Sequence, residues 1–267
     1  MDKKTILITG ASSGLGEALA KKFAKDGARL VLSARRAERL QKLKSELFKI
    51  NNQAEIHIAL GDVSKESVKE IVEGSIKHFS RLDAVIANAG QGMWTRFSDL
   101  QDPDELRSLM DVNYMGVVNS LFYSLPELRK NHGSFVAISS IQGTIPVAFH
   151  TGYVASKHAV NGLIETIRLE EPEVHFLLAM PSWIAGTELR AHALSSKNEN
   201  AVVVKKTHGK NVITATGCAD LIVDALHKKQ PRLFIPKKYG WLSTARNLCP
   251  KIFDAIVMKK IKGQLSS

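Results

Sequence analysis

Short runs of β-branched and other apolar residues alternate along this chain with longer segments of helical period. Lys4–Thr9 (KTILIT), Arg29–Ser33 (RLVLS), Glu55–Leu60 (EIHIAL), Asp83–Ala87 (DAVIA), Ser134–Ser139 (SFVAIS) and Val174–Met180 (VHFLLAM) read as buried strands. Leu15–Asp26 reads as a helix, and Arg36–Asn51 places Leu40, Leu43, Leu47 and Ile50 close to helical spacing. Further helices are expected over about 64–80, 102–130 and 152–170. Strand, helix, strand repeated in this way predicts an α/β fold, a parallel sheet with helices on both faces. Right-handed crossovers make that sheet doubly wound. No linker, repeat or low-complexity segment divides residues 1–267, so one domain is expected. Two regions are less regular. The polar stretch 182–212 follows the C-terminal end of a strand and is expected to form a lid, and a basic, apolar tail occupies about 237–267.

Composition narrows the class only a little. The 267 residues are 44% hydrophobic and 24% charged, as in ordinary soluble proteins. The two cysteines, Cys218 and Cys249, lie far apart with no CxxC or Cys/His pattern, which predicts a reducing compartment, no disulfide framework and no metal site. Met1-Asp2-Lys3-Lys4 leads straight into the first strand, leaving no room for a signal peptide, and no apolar run nears the roughly 20 residues of a membrane span. A cytoplasmic location is expected. The net charge of +11 fits either an anionic partner, such as nucleic acid, lipid or an acidic carrier, or a solubilising charge spread over the surface.

The first candidate chemistry lies in Ile8–Gly16 (ITGASSGLG), between the first strand and the first helix. Free N–H groups and the helix dipole attract phosphate at that position. The spacing of Gly10, Gly14 and Gly16 is G-x-x-x-G-x-G, longer at its start than G-x-G-x-x-G, and it lacks the Gly-Lys-Ser/Thr ending of a triphosphate loop. On its own the loop is also compatible with a tight turn.

Three more landmarks follow in order: Asn88-Ala89-Gly90 after the fourth strand, Ser140 after the fifth, and Tyr153-x3-Lys157 opening a helix. With the glycine loop, this set resembles the short-chain dehydrogenase/reductase family over roughly residues 4 to 190. The resemblance implies a Rossmann-type sheet of about seven strands and a nicotinamide dinucleotide held by Gly10, Ser12, Ser13, Gly14, Leu15 and Gly16. Asp62 and Val63 would contact the adenine, with Asn88, Ala89 and Gly90 beyond it. Asn88 is expected to brace the sheet more than to touch substrate. At the end of the second strand, Ala34 stands where NAD-preferring relatives resemble one another in having Asp, and Arg35 beside it offers a fork suited to phosphate. NADP(H) is therefore expected, with Arg35 on the 2′-phosphate and Arg36 a more plausible exposed helix start.

Tyr153 and Lys157 are four apart, hence on one helix face, where an ammonium would lower the phenol pKa from near 10. Such a tyrosine exchanges a proton with a carbonyl or alcohol oxygen. Ser140, thirteen residues before Tyr153, would bond the same oxygen, with Ser139 more suited to ending the strand. The resemblance gives Asn113 a proton-relay role and Lys157 a second one on the nicotinamide ribose. The family's Pro-Gly after the sixth strand is here Pro181-Ser182, with an extra residue before Thr. Pro181, Ile184 and Thr187 are still expected at the nicotinamide, and Met93, Trp94 and Trp183 at the substrate. His57, His150, His158, His175 and His192 show no metal-ligand spacing, though His150 could face the pocket.

From Lys237 to Lys262 seven Lys/Arg face the single Asp254, interleaved with Trp241, Leu248, Ile252, Phe253, Ile256, Val257 and Ile261. Three readings stand open: packing on its own domain or a partner subunit, an interfacial helix on an anionic membrane, and binding of an acidic protein or nucleic acid. Nucleic acid is the poorest, since nothing resembles a nucleic-acid-binding motif. The reading as a whole is an NADP(H)-dependent oxidoreductase interconverting a carbonyl and an alcohol on an apolar or lipid-like substrate, working as a homodimer or homotetramer. A ketoacyl-carrier or thioester reductase is the nearest rival, and a non-catalytic NADP(H) redox sensor the alternative of another class.

Overall fold

The structure, a computed structural model, describes residues 3–189, 193–194 and 212–265. The chain runs β1 (Thr5–Thr9), α1 (Gly14–Lys25), β2 (Arg29–Ala34), α2 (Ala37–Ile50), β3 (Ile56–Leu60), α3 (Ser67–Phe79) and β4 (Ala84–Ala87). It continues through α4 (Asp104–Met110), a π-helical turn (Asp111–Met115), α5 (Gly116–Lys130), β5 (Ser134–Ile138), α6 (Thr151–Glu170) and β6 (His175–Pro181). A short pair, β7 (Ile184–Ala185) and β8 (Ile213–Thr214), precedes α7 (Ala215–His227), β9 (Arg232–Ile235), α8 (Gly240–Leu248) and α9 (Pro250–Leu265).

Seven of these strands form one sheet in the order β3-β2-β1-β4-β5-β6-β9, and every pairing is parallel. Both faces are covered, so the strands are apolar throughout and the period of two decides which core each side chain joins. In β1, Ile6 and Ile8 enter the cluster with Leu19, Phe23 and Ile222, whereas Leu7 enters the opposite one with Ile71, Leu121 and Ile164. The sheet thus lies between α1, α2 and α7 on one side and α3, α5 and α6 on the other. This is the doubly wound, Rossmann-type fold expected.

The seventh strand, β9, had no counterpart among the runs picked out in the sequence. Its four residues, RLFI, carry little pattern, and its place is set by pairing of Leu178–Pro181 with Arg232–Ile235. Beneath the strands' N-terminal ends, the buried Asp83 carboxylate accepts from Thr5 N at 2.9 Å and pairs with Lys4 and, through two bonds, Arg81. Burial works to raise its pKa, yet these partners outweigh it and hold the carboxyl below its ordinary value.

Most of the lid expected over 182–212 lies outside the described residues, as does His192. The tail forms two helices that touch each other and the turn at Lys237–Tyr239. Trp241, Leu248 and Ile252 are 62%, 76% and 63% exposed. Packing of these side chains on their own domain is therefore not realised: the sheet ends at β9, and both cores are already closed without them.

Candidate active site

β1 and β4 are neighbours whose following connections leave to opposite faces, and the sheet opens there at its C-terminal edge. Ligands bind in that crevice in open α/β sheets. A cleft of about 580 Å³ occupies it. The glycine loop forms one wall. Gly10 and Gly14 have φ of +64° and +58°, the left-handed region that disfavours other residues. A Cβ on Gly10 would meet Ala89 Cα at 2.8 Å, so the loop can lie on the end of β4 only as glycine.

The same contact is tied by hydrogen bonds. Thr9 Oγ1 accepts from Asn88 N at 3.0 Å and Ala89 N at 3.2 Å, and Asn88 Nδ2 donates to Thr9 O at 3.0 Å. Asn88 therefore braces the two strands. Ser12, Ser13, Gly14 and Leu15 line the cleft, and so do Asp62, Val63, Ala89 and Gly90. Gly16 does not: it is buried against Gly10 O and the Asn88 side chain, where a Cβ has no room. Its role is close packing rather than the direct cofactor contact expected of it.

Both arginines after β2 border the cleft, as expected of Arg35 but not of Arg36. Arg35 is largely exposed, its Nη1 3.5 Å from Asp62 Oδ2. Arg36 turns into the glycine loop, Nη2 donating to Ser12 Oγ and Ser13 Oγ, both at 3.2 Å. Arg36 Nη1 also donates to Glu188 at 3.1 Å, and Arg39 holds both Glu188 oxygens at 2.7 and 2.6 Å. Sequence gave no sign of Glu188. It lies about 150 residues from its partners, and only the fold brings it onto α2.

The floor of the cleft is buried polar chemistry. Asn113 lies in the π-helical turn between α4 and α5, and such turns often mark functional positions because they re-aim one side chain. Its Oδ1 accepts from Gln91 N at 2.7 Å, and Nδ2 donates to Gln91 O at 2.9 Å and Ser156 Oγ at 3.0 Å. It is fully buried behind Gly90 rather than on the cleft surface. Tyr153, Lys157 and Ser140 do reach the cleft, on the first turns of α6 and just after β5.

Tyr153 is hydrogen-bonded to Ser140, and burial pushes its phenol up to about 12, that bond offsetting part of the rise. The lowering expected from Lys157 is not realised. Lys157 Nζ donates to Ile138 O at 2.9 Å and lies 5.6 Å from the Tyr153 ring centre, while its own pKa is brought down to about 8 by burial. Ser140 Oγ accepts from Gln142 N at 3.1 Å and also lies within a long bond, 3.4 Å, of Pro181 O. Ser139 is committed elsewhere, donating to Asn161 Oδ1 at 2.5 Å. Of the two serines, Ser140 is the one beside the tyrosine.

Opposite the floor stands an aromatic wall. Trp94 and His150 meet edge to face at 4.6 Å between ring centres, Trp183 lies 5.8 Å from His150, and His150 is 6.4 Å from Tyr153. Met93, buried under Trp94, accepts from Gly152 N through its sulfur at 3.2 Å. Pro181, Ile184 and Thr187 close the near side, with Thr187 Cγ2 placed 3.2 Å from a Cβ built on Gly14. The cleft also includes Gln142, which the sequence did not single out. Among the described residues no cluster of His, Cys, Asp and Glu could hold a metal ion.

A parallel doubly wound sheet with a glycine cradle at its switch point, facing a buried Tyr/Lys/Ser group, defines a dinucleotide-dependent oxidoreductase of the alcohol/carbonyl class. The family model for short chain dehydrogenases matches residues 4–198. The chain is 33% identical over 259 residues to the 11-beta-hydroxysteroid dehydrogenase-like 2 protein of Arabidopsis thaliana, covering 95% of this chain and 80% of that one. It is similar in structure to the alcohol dehydrogenase of the archaeon Thermococcus sibiricus complexed with 5-hydroxy-NADP, with a TM-score of 0.76 and 31% identity over 87% of this chain and 94% of that one. A short-chain dehydrogenase/reductase from Burkholderia phymatum in complex with NAD shares the fold, with a TM-score of 0.81 at 24% identity over 94% and 95%. The chain belongs to the short-chain dehydrogenase/reductase family.

Proposed function

We propose that this protein is an NADP(H)-dependent reductase of ketones or aldehydes whose substrate has a bulky apolar body. One observation carries the reading: the Tyr153 hydroxyl, bonded to Ser140 and neighboured by Lys157, faces the glycine cradle within one cleft. Residues fitting a dinucleotide are present, since Gly10, Gly14 and Gly90 line the cleft and bring backbone rather than side chains to its wall. When bound, the nicotinamide supplies the hydride.

The chain's own residues supply the rest. Tyr153, kept protonated by burial, gives its proton to the carbonyl oxygen as charge grows there. Ser140 turns its weakly held hydroxyl toward the same oxygen. Lys157, charged below about pH 8, stabilises the phenolate left behind and holds the ribose. Asn113 fixes the loop at Gln91 and links through Ser156 to α6, keeping the floor in register.

Arg36 with Ser12 and Ser13 supports the phosphorylated cofactor, because a guanidinium beside two hydroxyls matches the donors a 2′-phosphate needs. The NADP derivative in the Thermococcus relative points the same way. The Trp94, His150 and Trp183 rings support a flat apolar substrate, in keeping with the hydroxysteroid in the name of the Arabidopsis relative. A screen of cyclic and open-chain ketones and aldehydes, following NADPH absorbance, tests the reading. Turnover of apolar ring ketones supports it, and turnover confined to acyl thioesters would favour the carrier-bound rival.

No helix among the described residues is long and apolar enough to cross a membrane. The exposed Trp241, Leu248, Ile252 and Ile256, set among Lys237, Lys238, Arg246, Lys251 and Lys259, support peripheral docking on an anionic bilayer from the cytoplasmic side. Exposed Phe122 on α5 and Leu169 on α6 support a homo-oligomer. Sedimentation with anionic and neutral vesicles tests the first, and sedimentation equilibrium the second.

A further inference from the structure

Arg36 and Arg39 lie one turn apart on the same edge of the cleft, and one carboxylate spans them. Glu188 takes 3.1 Å from Arg36 Nη1 and 2.7 and 2.6 Å from Arg39 Nη1, while Arg36 Nη2 rests on Ser12 and Ser13. Glu188 is placed there by its neighbour Thr187, which abuts Gly14 in the glycine loop. Arg39 and Arg36 together hold the Glu188 carboxyl below its ordinary pKa, so it is charged throughout the working range. A negative group therefore already sits on the cationic edge that a phosphorylated cofactor would use. Arg35 also lines the cleft, 3.5 Å from Asp62, but takes no part in the Glu188 bridge.

We propose that Glu188 competes with the cofactor's 2′-phosphate for Arg36, and that Arg39 receives the displaced carboxylate. The inference rests on the NADP(H) reading and deepens it: three charged residues, not one arginine, set how strongly the phosphate is preferred. A dianionic phosphate beside Ser12 and Ser13 takes over the Arg36 donors, and like-charge repulsion drives Glu188 off Arg36 and toward Arg39. The unphosphorylated cofactor makes no such demand and leaves the Glu188 bridge intact. Arg39, which need not touch the cofactor at all, then acts as a positioning residue for Glu188.

The test is a set of affinities for wild type, Glu188→Gln, Arg39→Gln and the double substitution. The probes are NADPH and NADH by fluorescence, with 2′,5′-ADP and 5′-AMP as fragments with and without the 2′-phosphate. Glu188→Gln should tighten NADPH and 2′,5′-ADP by about three- to tenfold, the scale of one partly exposed charge contact, with NADH and 5′-AMP unchanged. Arg39→Gln should weaken the phosphorylated probes, and adding Glu188→Gln should restore them to at least the wild-type affinity. That rescue separates competition from simple loss of a cation. The proposal is overturned if Glu188→Gln leaves NADPH unchanged or weaker, if it tightens 5′-AMP equally, or if the double substitution binds no better than Arg39→Gln. Equal affinity of the wild type for NADH and NADPH would instead defeat the underlying NADP(H) reading.

Discussion

Asn113, Tyr153 and Lys157 keep less than a tenth of their surface open to water, whereas Trp241, Leu248 and Ile252 keep more than half. The first group is polar and buried, so every atom needs a partner, and the partners fix both position and pKa. The second group is apolar and exposed, on helices whose contacts are with each other and with the turn before them. Substitutions in the floor should therefore change chemistry or stability steeply. Substitutions in the C-terminal helices should leave the isolated enzyme nearly untouched and show only when a surface is offered.

The steepest contrast is expected for Tyr153→Phe. Removing the proton donor should lower turnover by about 10²- to 10⁴-fold, with NADPH affinity by fluorescence close to wild type. Retained turnover would mean that the buried floor is scaffold only. Asn113→Ala should follow, because it orphans the backbone N–H and C=O of Gln91 at a cost of about 1–3 kcal/mol each, read as a lower urea midpoint. An unchanged midpoint would show that water replaces the side chain.

The pH profile gives the third. Burial has lowered Lys157 to about 8, so its charge is present below that value and disappears as pH rises through it. The kcat/KM for reduction should fall above about pH 8, while Tyr153, pushed up to about 12, stays protonated across the same range. A rise in reductive kcat/KM above pH 8 would contradict this placement of the ammonium.

Smaller still is the effect expected in the C-terminal helices. Deleting residues 240–267 should change thermal stability little, since surface changes away from a core fall within about 0.5 kcal/mol each, yet remove sedimentation with anionic vesicles. A large loss of stability would mean that these helices belong to the fold after all. The smallest effect belongs to the stacked pair His57 and His78, with rings 4.5 Å apart. Burial first, then His78, lowers the His57 pKa below 6.5, so the unfolded chain binds its proton more readily. Stability should decline modestly as pH falls below about 6.5, and His57→Gln should flatten that slope.

How much of this was legible in the sequence follows the same divide. Ser140, Tyr153 and Lys157 stood out only through the resemblance to the family's ordered motifs, whereas the six apolar strands and the glycine loop were readable because burial and backbone geometry permit few residue types there. β9 was not, because its position is given by pairing with β6 rather than by its own four residues. The inward turn of Arg36 was not legible, since adjacent residues leaving a strand differ only in which way the chain turns. Glu188 had no local signal, as its partners lie about 150 residues away. The upward shift of Tyr153 was missed for a related reason. Spacing on a helix brought Lys157 near, but only the structure placed its ammonium on Ile138 O.

The central claim, carbonyl reduction by NADPH with Arg36 reading the 2′-phosphate, is tested most directly by one ratio. It is kcat/KM for NADPH over NADH with an apolar ring ketone, measured in wild type and Arg36→Gln. The account expects the wild type to favour NADPH by at least about tenfold, the worth of a charge-assisted phosphate contact, and the ratio to collapse toward unity in Arg36→Gln. A wild type indifferent between the two cofactors, or an Arg36→Gln enzyme that keeps the full preference, would contradict it.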